Sequence, residues 1–143
     1  MESNKLSASL KIALVLDDYY PSSSGVSRSI QSQIDELSAM GHHVTLIAPE
    51  KNFTPPKNAE HIALKSVQPP GALKHTAILS STARIAKSIT KNHQFDVIHS
   101  QTDTGALILS ARIAKIQHIP HIHTFHTNMA GSVPYYTKPK MLV

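Results

Sequence analysis

The residues best equipped for chemistry stand in two short stretches. One, IPHIHTFHTN over Ile119–Asn128, holds His121, His123 and His126. Imidazole titrates near neutrality, donates or accepts hydrogen bonds, and ligates metals. In an extended strand side chains alternate, so His121, His123 and Phe125 share one face and Ile122, Thr124 and His126 the other. His126 falls at the carboxyl end, where a neutral ring can hydrogen-bond a ligand hydroxyl. The competing reading is a strand-edge histidine with its bonds already satisfied. His121 and His123 are the natural pair for a metal. Carboxylates are scarce nearby and no third ligand stands out, so no metal is expected.

The second stretch is DDYYPSSSGV, Asp17–Val26. Ser24 and Gly25 stand between an apolar run and a helical pattern. The first turn of a helix has unpaired backbone N–H groups and the positive end of the dipole, so it attracts anions. Glycine leaves no Cβ between that backbone and a phosphate. Alternatively Ser24 only caps the helix and Gly25 only eases the turn. Neither G-x-G-x-x-G nor a P-loop signature is present, so a standard dinucleotide or P-loop site is excluded.

These residues need a frame. Lys11–Leu16 (KIALVL) is a short apolar run that predicts a buried strand. Val26, Ile30, Ile34, Leu37 and Met40 recur at helical spacing, with Gly41 as the stop. Val44–Ala48 (VTLIA) predicts a second strand, closed by Pro49. Asn52–Pro70 reads as irregular, with room for a short strand over His61–Leu64. Ala72–Lys91 reads as a helix, Asp96–His99 as a strand, Thr104–Gln117 as a helix and His121–Phe125 as the last strand. Strands alternating with helices predict an α/β, Rossmann-like parallel sheet with helices on both faces. In such sheets ligands bind beyond the carboxyl ends of the strands. That rule selects the loops after Leu16, His99 and Phe125.

Composition sets the outer bounds. The chain has 143 residues, 41% hydrophobic and 16% charged, so it is globular and not disordered. It has no cysteine, which excludes disulfides and thiolate metal sites. No run approaches a membrane span, and the polar start is no signal peptide. The expectation is a cytoplasmic chain with a loose tail over residues 1–10 and one domain over 11–143. The net charge of +5 favours phosphate-bearing partners, or is plain surface lysine. Nucleic acid is not expected, since aromatics are only 5% and no RNA or DNA motif is present. The predicted helix Ala72–Lys91 carries Lys74, Arg84, Lys87 and Lys91. It can rest on the inner face of an anionic membrane, or show a solvated basic face above a packed one.

Four segments together resemble a family. Asp17–Val26 resembles the D-x-Y-x-P-x-x-x-G-V signature of retaining GT-B glycosyltransferases, which include lipid glucosyltransferases and GDP-mannose-dependent mannosyltransferases. Gly41–Glu50 (GHHVTLIAPE) resembles the G-H-x-V-x-x-x-x-P segment that follows it. Phe95–Lys115 is similar to the F-D-V-I-H segment and its helix, and Ile119–Asn128 to I-P-x-V-x-T-x-H-T. The order and distances fit, from about Lys11 to Asn128.

The resemblance implies the amino-terminal, acceptor-side half of a GT-B fold. It implies a donor diphosphate against Ser24 and Gly25, and His126 as the catalytic residue beside the donor sugar. Asp17, Tyr19, Gln101, Thr127 and Asn128 would line the donor and acceptor pocket. The donor would be a nucleotide-sugar such as UDP-glucose or GDP-mannose, and the acceptor a lipid or saccharide. No cofactor and no metal are implied. The sequence departs from the pattern in places. Ser24 stands where relatives often have glycine. Ser100 and Gln101 follow His99 where relatives often have His-x-His. No glutamate follows Glu60, so the family's E-x7-E is missing. The expectation is an incomplete first domain, without its carboxyl-terminal partner and inactive alone. The alternative is a non-catalytic fragment or binding module that keeps only the fold.

Overall fold

The fold comes from a computed structural model, which describes residues 8–17, 25–49, 56–67, 78–79 and 81–126. Its frame is a five-stranded sheet in the order β3-β2-β1-β6-β7. The strands are β1 (Lys11–Val15), β2 (His43–Ala48), β3 (Glu60–Ala63), β6 (Val97–Ser100) and β7 (His121–His123). All four pairings are parallel. Strand order reverses between β1 and β6, with α1 (Gly25–Ala39) following β1, and α3 (Gly105–Gln117) following β6. Such a reversal opens a crevice at the carboxyl edge.

Alternation along β1 explains why both faces are covered. Ile12, Leu14 and Leu16 pack with Ile30 and Ile34 of α1. Ala13 and Val15 pack on the other face with Ile98, Leu109, Ile113 and, from α2 (Thr82–Asn92), Ala86 and Ile89. A strand buried on both faces reads as a continuous apolar run, as KIALVL does.

Local chemistry sets the helix ends. α1 closes in a Schellman motif: His42 N–H reaches Leu37 C=O at 3.1 Å and Gly41 N–H reaches Ser38 C=O at 3.0 Å. Gly41 takes φ +88°, where a side chain would be strained. Ser9 and Leu10, within the predicted tail, hydrogen-bond this turn at Gly41 C=O and His42 Nδ1.

One predicted helix is corrected. Within Ala72–Lys91, residues 72–77 and 80 lie outside the described ones, and the described helix, α2, starts at Thr82 and runs to Asn92. Ile78–Leu79 (β5) instead pairs antiparallel with Ser66–Val67 (β4). Apolar spacing cannot tell a short strand from a helical turn. Ser81 decides the start: its side chain accepts the Arg84 N–H, as an N-cap does. The predicted last strand is also shorter and ends at His123.

Candidate site at the carboxyl edge of the sheet

Because the strands are parallel, the ends of β1, β6 and β7 lie along one edge. α1 returns the chain toward β2, so its amino terminus at Gly25 belongs to that edge too. Gly25 needs no positive φ, and a Cβ there would meet no described residue within 4 Å. Neither the backbone conformation nor the packing of the described residues therefore demands a glycine.

Alternation sorts the side chains of β6, β7 and the residues after them into two rows. Toward α2 and α3 stand Ser100, His121, His123 and Phe125. Ser100 Oγ lies 2.8 Å from His121 Nε2 and 2.7 Å from His123 Nδ1. His123 Nε2 lies 2.7 Å from Asp103 Oδ1, and Phe125 meets the His123 ring edge-on. A carboxylate only accepts, so His123 Nε2 donates to it. The single Ser100 proton has two acceptors in reach, His123 Nδ1 and Ile122 C=O at 3.4 Å, and the Ser100 oxygen can accept from His121. The Asp–His–Ser order is that of a hydrolytic triad, but the two ring nitrogens are exchanged. Ser100 is 0% exposed, so no substrate reaches its oxygen. The network fastens the three-residue strand β7 to β6. Among the described residues no group of three or more His, Asp or Glu is arranged to hold a metal ion.

Toward α1 stand His99, Gln101, Thr124 and His126. His99 Nε2 lies 2.7 Å from Thr124 Oγ1. His126 Nε2 lies 2.9 Å from Gln101 Oε1. Gln101 is 1% exposed and forms a reciprocal amide pair with Gln33 of α1, at 3.0 and 3.4 Å. His126 itself is exposed at the edge.

Asp17, a predicted pocket residue, is only 2% exposed. Its Oδ2 accepts the Thr104 hydroxyl and the Ala106 N–H, the latter at 3.2 Å. Its own N–H reaches Thr102 Oγ1 at 3.1 Å. A carboxylate just beyond β1 thus caps α3, whose own N-cap residue makes no side-chain cap bond. Asp17→Ala strands a buried N–H and a hydroxyl. It should lower stability by about 1–2 kcal/mol. An unshifted urea midpoint would contradict this capping role.

Of the predicted site residues, the structure brings His126 into contact with Gln101 and puts Gly25 on the same edge. Asp17 sits at this edge but faces α3. Tyr19, Ser24, Thr127 and Asn128 lie outside the described residues. Gln33, Ser100, Asp103 and Thr104 were missed. Thr104 and Asp103 precede a helix, a position that signals capping, but nothing in the sequence marks Gln33. A cavity of about 520 Å³ opens elsewhere, among Lys11, His43, Glu60 and Phe95. Those residues lie at the amino ends of the strands, away from the imidazoles, so it is not the candidate site.

Burial, then the neighbouring His123, His126 and His121, hold the His99 pKa below its ordinary 6.5. Burial and then His123 lower that of His121. The folded chain thus refuses protons that the unfolded chain accepts. This contribution to stability is whole above 6.5 and is lost as pH falls from there through the lowered folded values. Melting should come at a lower temperature near pH ~5.5 than near pH ~7.5, and His99→Gln should narrow the gap. Equal midpoints for the wild type would refute this.

Comparison with known proteins agrees with the fold. The chain is 33% identical over 134 residues to an alpha-monoglucosyldiacylglycerol synthase of Streptococcus pneumoniae, covering 93% of this chain and 30% of that protein. It is 26% identical over 131 residues to a GDP-mannose-dependent alpha-mannosyltransferase of Mycolicibacterium smegmatis, covering 89% and 35%. The chain therefore spans about a third of the length of these relatives. A glycosyltransferase structure from Rickettsia africae superposes with a TM-score of 0.56 at 20% identity, covering 94% of this chain and 35% of that one. The C-terminal domain of a Pyrococcus furiosus hydrogenase superposes at 0.54 with 11% identity, covering 80% and 90%. Likeness at such identity speaks for the fold alone, which two chemistries share here. The model of Glycosyltransferase Family 4 matches residues 23–142, and the chain belongs to that family.

Proposed function

We propose that this chain is the acceptor-side, amino-terminal part of a retaining transferase that moves a sugar from a nucleotide-sugar to a lipid or saccharide acceptor. The observation that carries it is the pairing on one sheet edge of an open glycine at the start of α1 and an exposed imidazole at His126. An N-terminal helical turn offers backbone N–H groups to a diphosphate, with Ser24 and Gly25 as the nearest residues. The imidazole bonds a hydroxyl of the donor sugar close to the reacting carbon. Preorganised donors that meet charge on the leaving diphosphate supply most of the rate in such transfers. Tyr19, Gln101, Thr127 and Asn128 complete the pocket in this reading. The donor is a UDP-glucose or GDP-mannose type of molecule, and the chemistry uses no metal or cofactor.

Exposed Arg84, Lys87 and Lys91 on α2 give a cationic face for an anionic membrane, where a lipid acceptor would be met. Among the described residues no helix is long and apolar enough to cross one. The test is transfer of labelled sugar from UDP-glucose and from GDP-mannose to diacylglycerol-containing vesicles. It compares a transferase carrying this chain with its His126→Ala form. Product from the wild type with equal rates in both forms would refute the site.

A further inference from the structure

Gln101 is buried against Gln33. Its Oε1 accepts from Gln33 Nε2 and also faces His126 Nε2 at 2.9 Å. An amide oxygen only accepts, so the ring nitrogen opposite it carries the proton. A neutral His126 then has a bare Nδ1, and no described residue hydrogen-bonds it. If both amides turned over together, their mutual pair would survive. Gln101 would then present an N–H to His126, and the ring proton would move to Nδ1. The two glutamines thus set the ring tautomer together with their own shared orientation. Gln33 does so from two turns inside α1, the helix that starts at Gly25.

We propose that Gln33 and Gln101 are positioning residues that hold His126 protonated on Nε2, leaving Nδ1 to accept a hydroxyl of the bound sugar. This rests on the glycosyl-transfer reading for the sugar, and on geometry alone for the tautomer. The amide pair also couples the orientation of the imidazole to the helix that meets the diphosphate.

Two measurements test it. In long-range nitrogen–proton NMR of the 143-residue chain, the His126 ring should report a proton on Nε2. Among the described residues Gln33 does not touch the ring, whose hydrogen bond is to Gln101, yet Gln33→Ala should shift both ring nitrogens. A proton on Nδ1 in the wild type, or ring shifts that ignore Gln33→Ala, overturns the proposal. The second measurement is transfer from UDP-glucose and GDP-mannose by a transferase carrying this chain. Gln33→Ala should lower kcat about tenfold with donor KM held within about twofold. In a His126→Ala background the same change should cost nothing more, since its effect passes through the ring. Equal losses in both backgrounds would mark Gln33 as merely structural and overturn the proposal. Full activity of His126→Ala would instead overturn the reading on which the sugar contact rests. Gln101→Leu can disturb the core, so the half-buried Gln33 is the better probe.

Discussion

His126→Ala lowers sugar transfer about a hundredfold in a transferase that carries this chain, while the melting temperature stays within a degree or two (about ±0.5 kcal/mol). A hundredfold loss corresponds to about 2.7 kcal/mol of transition-state stabilisation. The fold should be indifferent because the ring is exposed and, among the described residues, hydrogen-bonds Gln101 alone. Gln101 keeps its amide pair with Gln33 when the ring is gone. The measurement is kcat and donor KM beside a thermal melt. Loss of kcat with an unchanged melt assigns the ring to chemistry. A falling melting temperature would mean that the imidazole holds the edge together.

Gly25→Val weakens donor binding about tenfold or more, equal to at least about 1.4 kcal/mol, without loss of stability. A ligand phosphate that packs on the bare backbone would collide with the new side chain. The described part of the chain would not, since none of its atoms lies within 4 Å of a Cβ at this position. Removing a glycine from a helical turn also restricts the unfolded chain, which favours folding. Stability and affinity are therefore expected to move independently. Calorimetric titration with UDP-glucose and GDP-mannose reads the affinity, and urea unfolding reads the stability. Undiminished affinity in the folded variant would remove the diphosphate from this turn and leave Gly25 as an ordinary helix start.

The two substitutions probe the two ends of one arrangement. Topology gives that arrangement its rigidity. α1 is fixed on one face of the sheet by Ile30 and Ile34, and β7 is fastened to β6 by Ser100 and its two imidazoles. Asp17 adds a third tie by capping α3 from the end of β1. Groups held on packed helices and strands stay where a ligand needs them.

Much of this was legible in the residues. The apolar run at Lys11–Leu16 and the helical spacing from Val26 to Met40 declare their elements because burial imposes its own period on side chains. Gly41 declares a helix end because only glycine takes its backbone angle freely. The alternation over His121–His126 matches the two rows of the structure, since strand geometry leaves little choice.

Long-range partners were not legible. The helix predicted from Ala72 fails because strand pairing at Ile78–Leu79 links it to Ser66–Val67, a contact that periodicity does not encode. Asp17 was read as a loop residue, and only the folded chain shows its carboxylate at a helix start 89 positions away. Gln33 has no sequence signature, since a glutamine on a helix becomes meaningful only when another amide faces it. Local sequence determined the elements, through burial periodicity and backbone sterics acting between near neighbours. Tertiary packing alone decided which polar groups meet, because a hydrogen bond forms wherever the fold happens to bring a donor within reach of an acceptor.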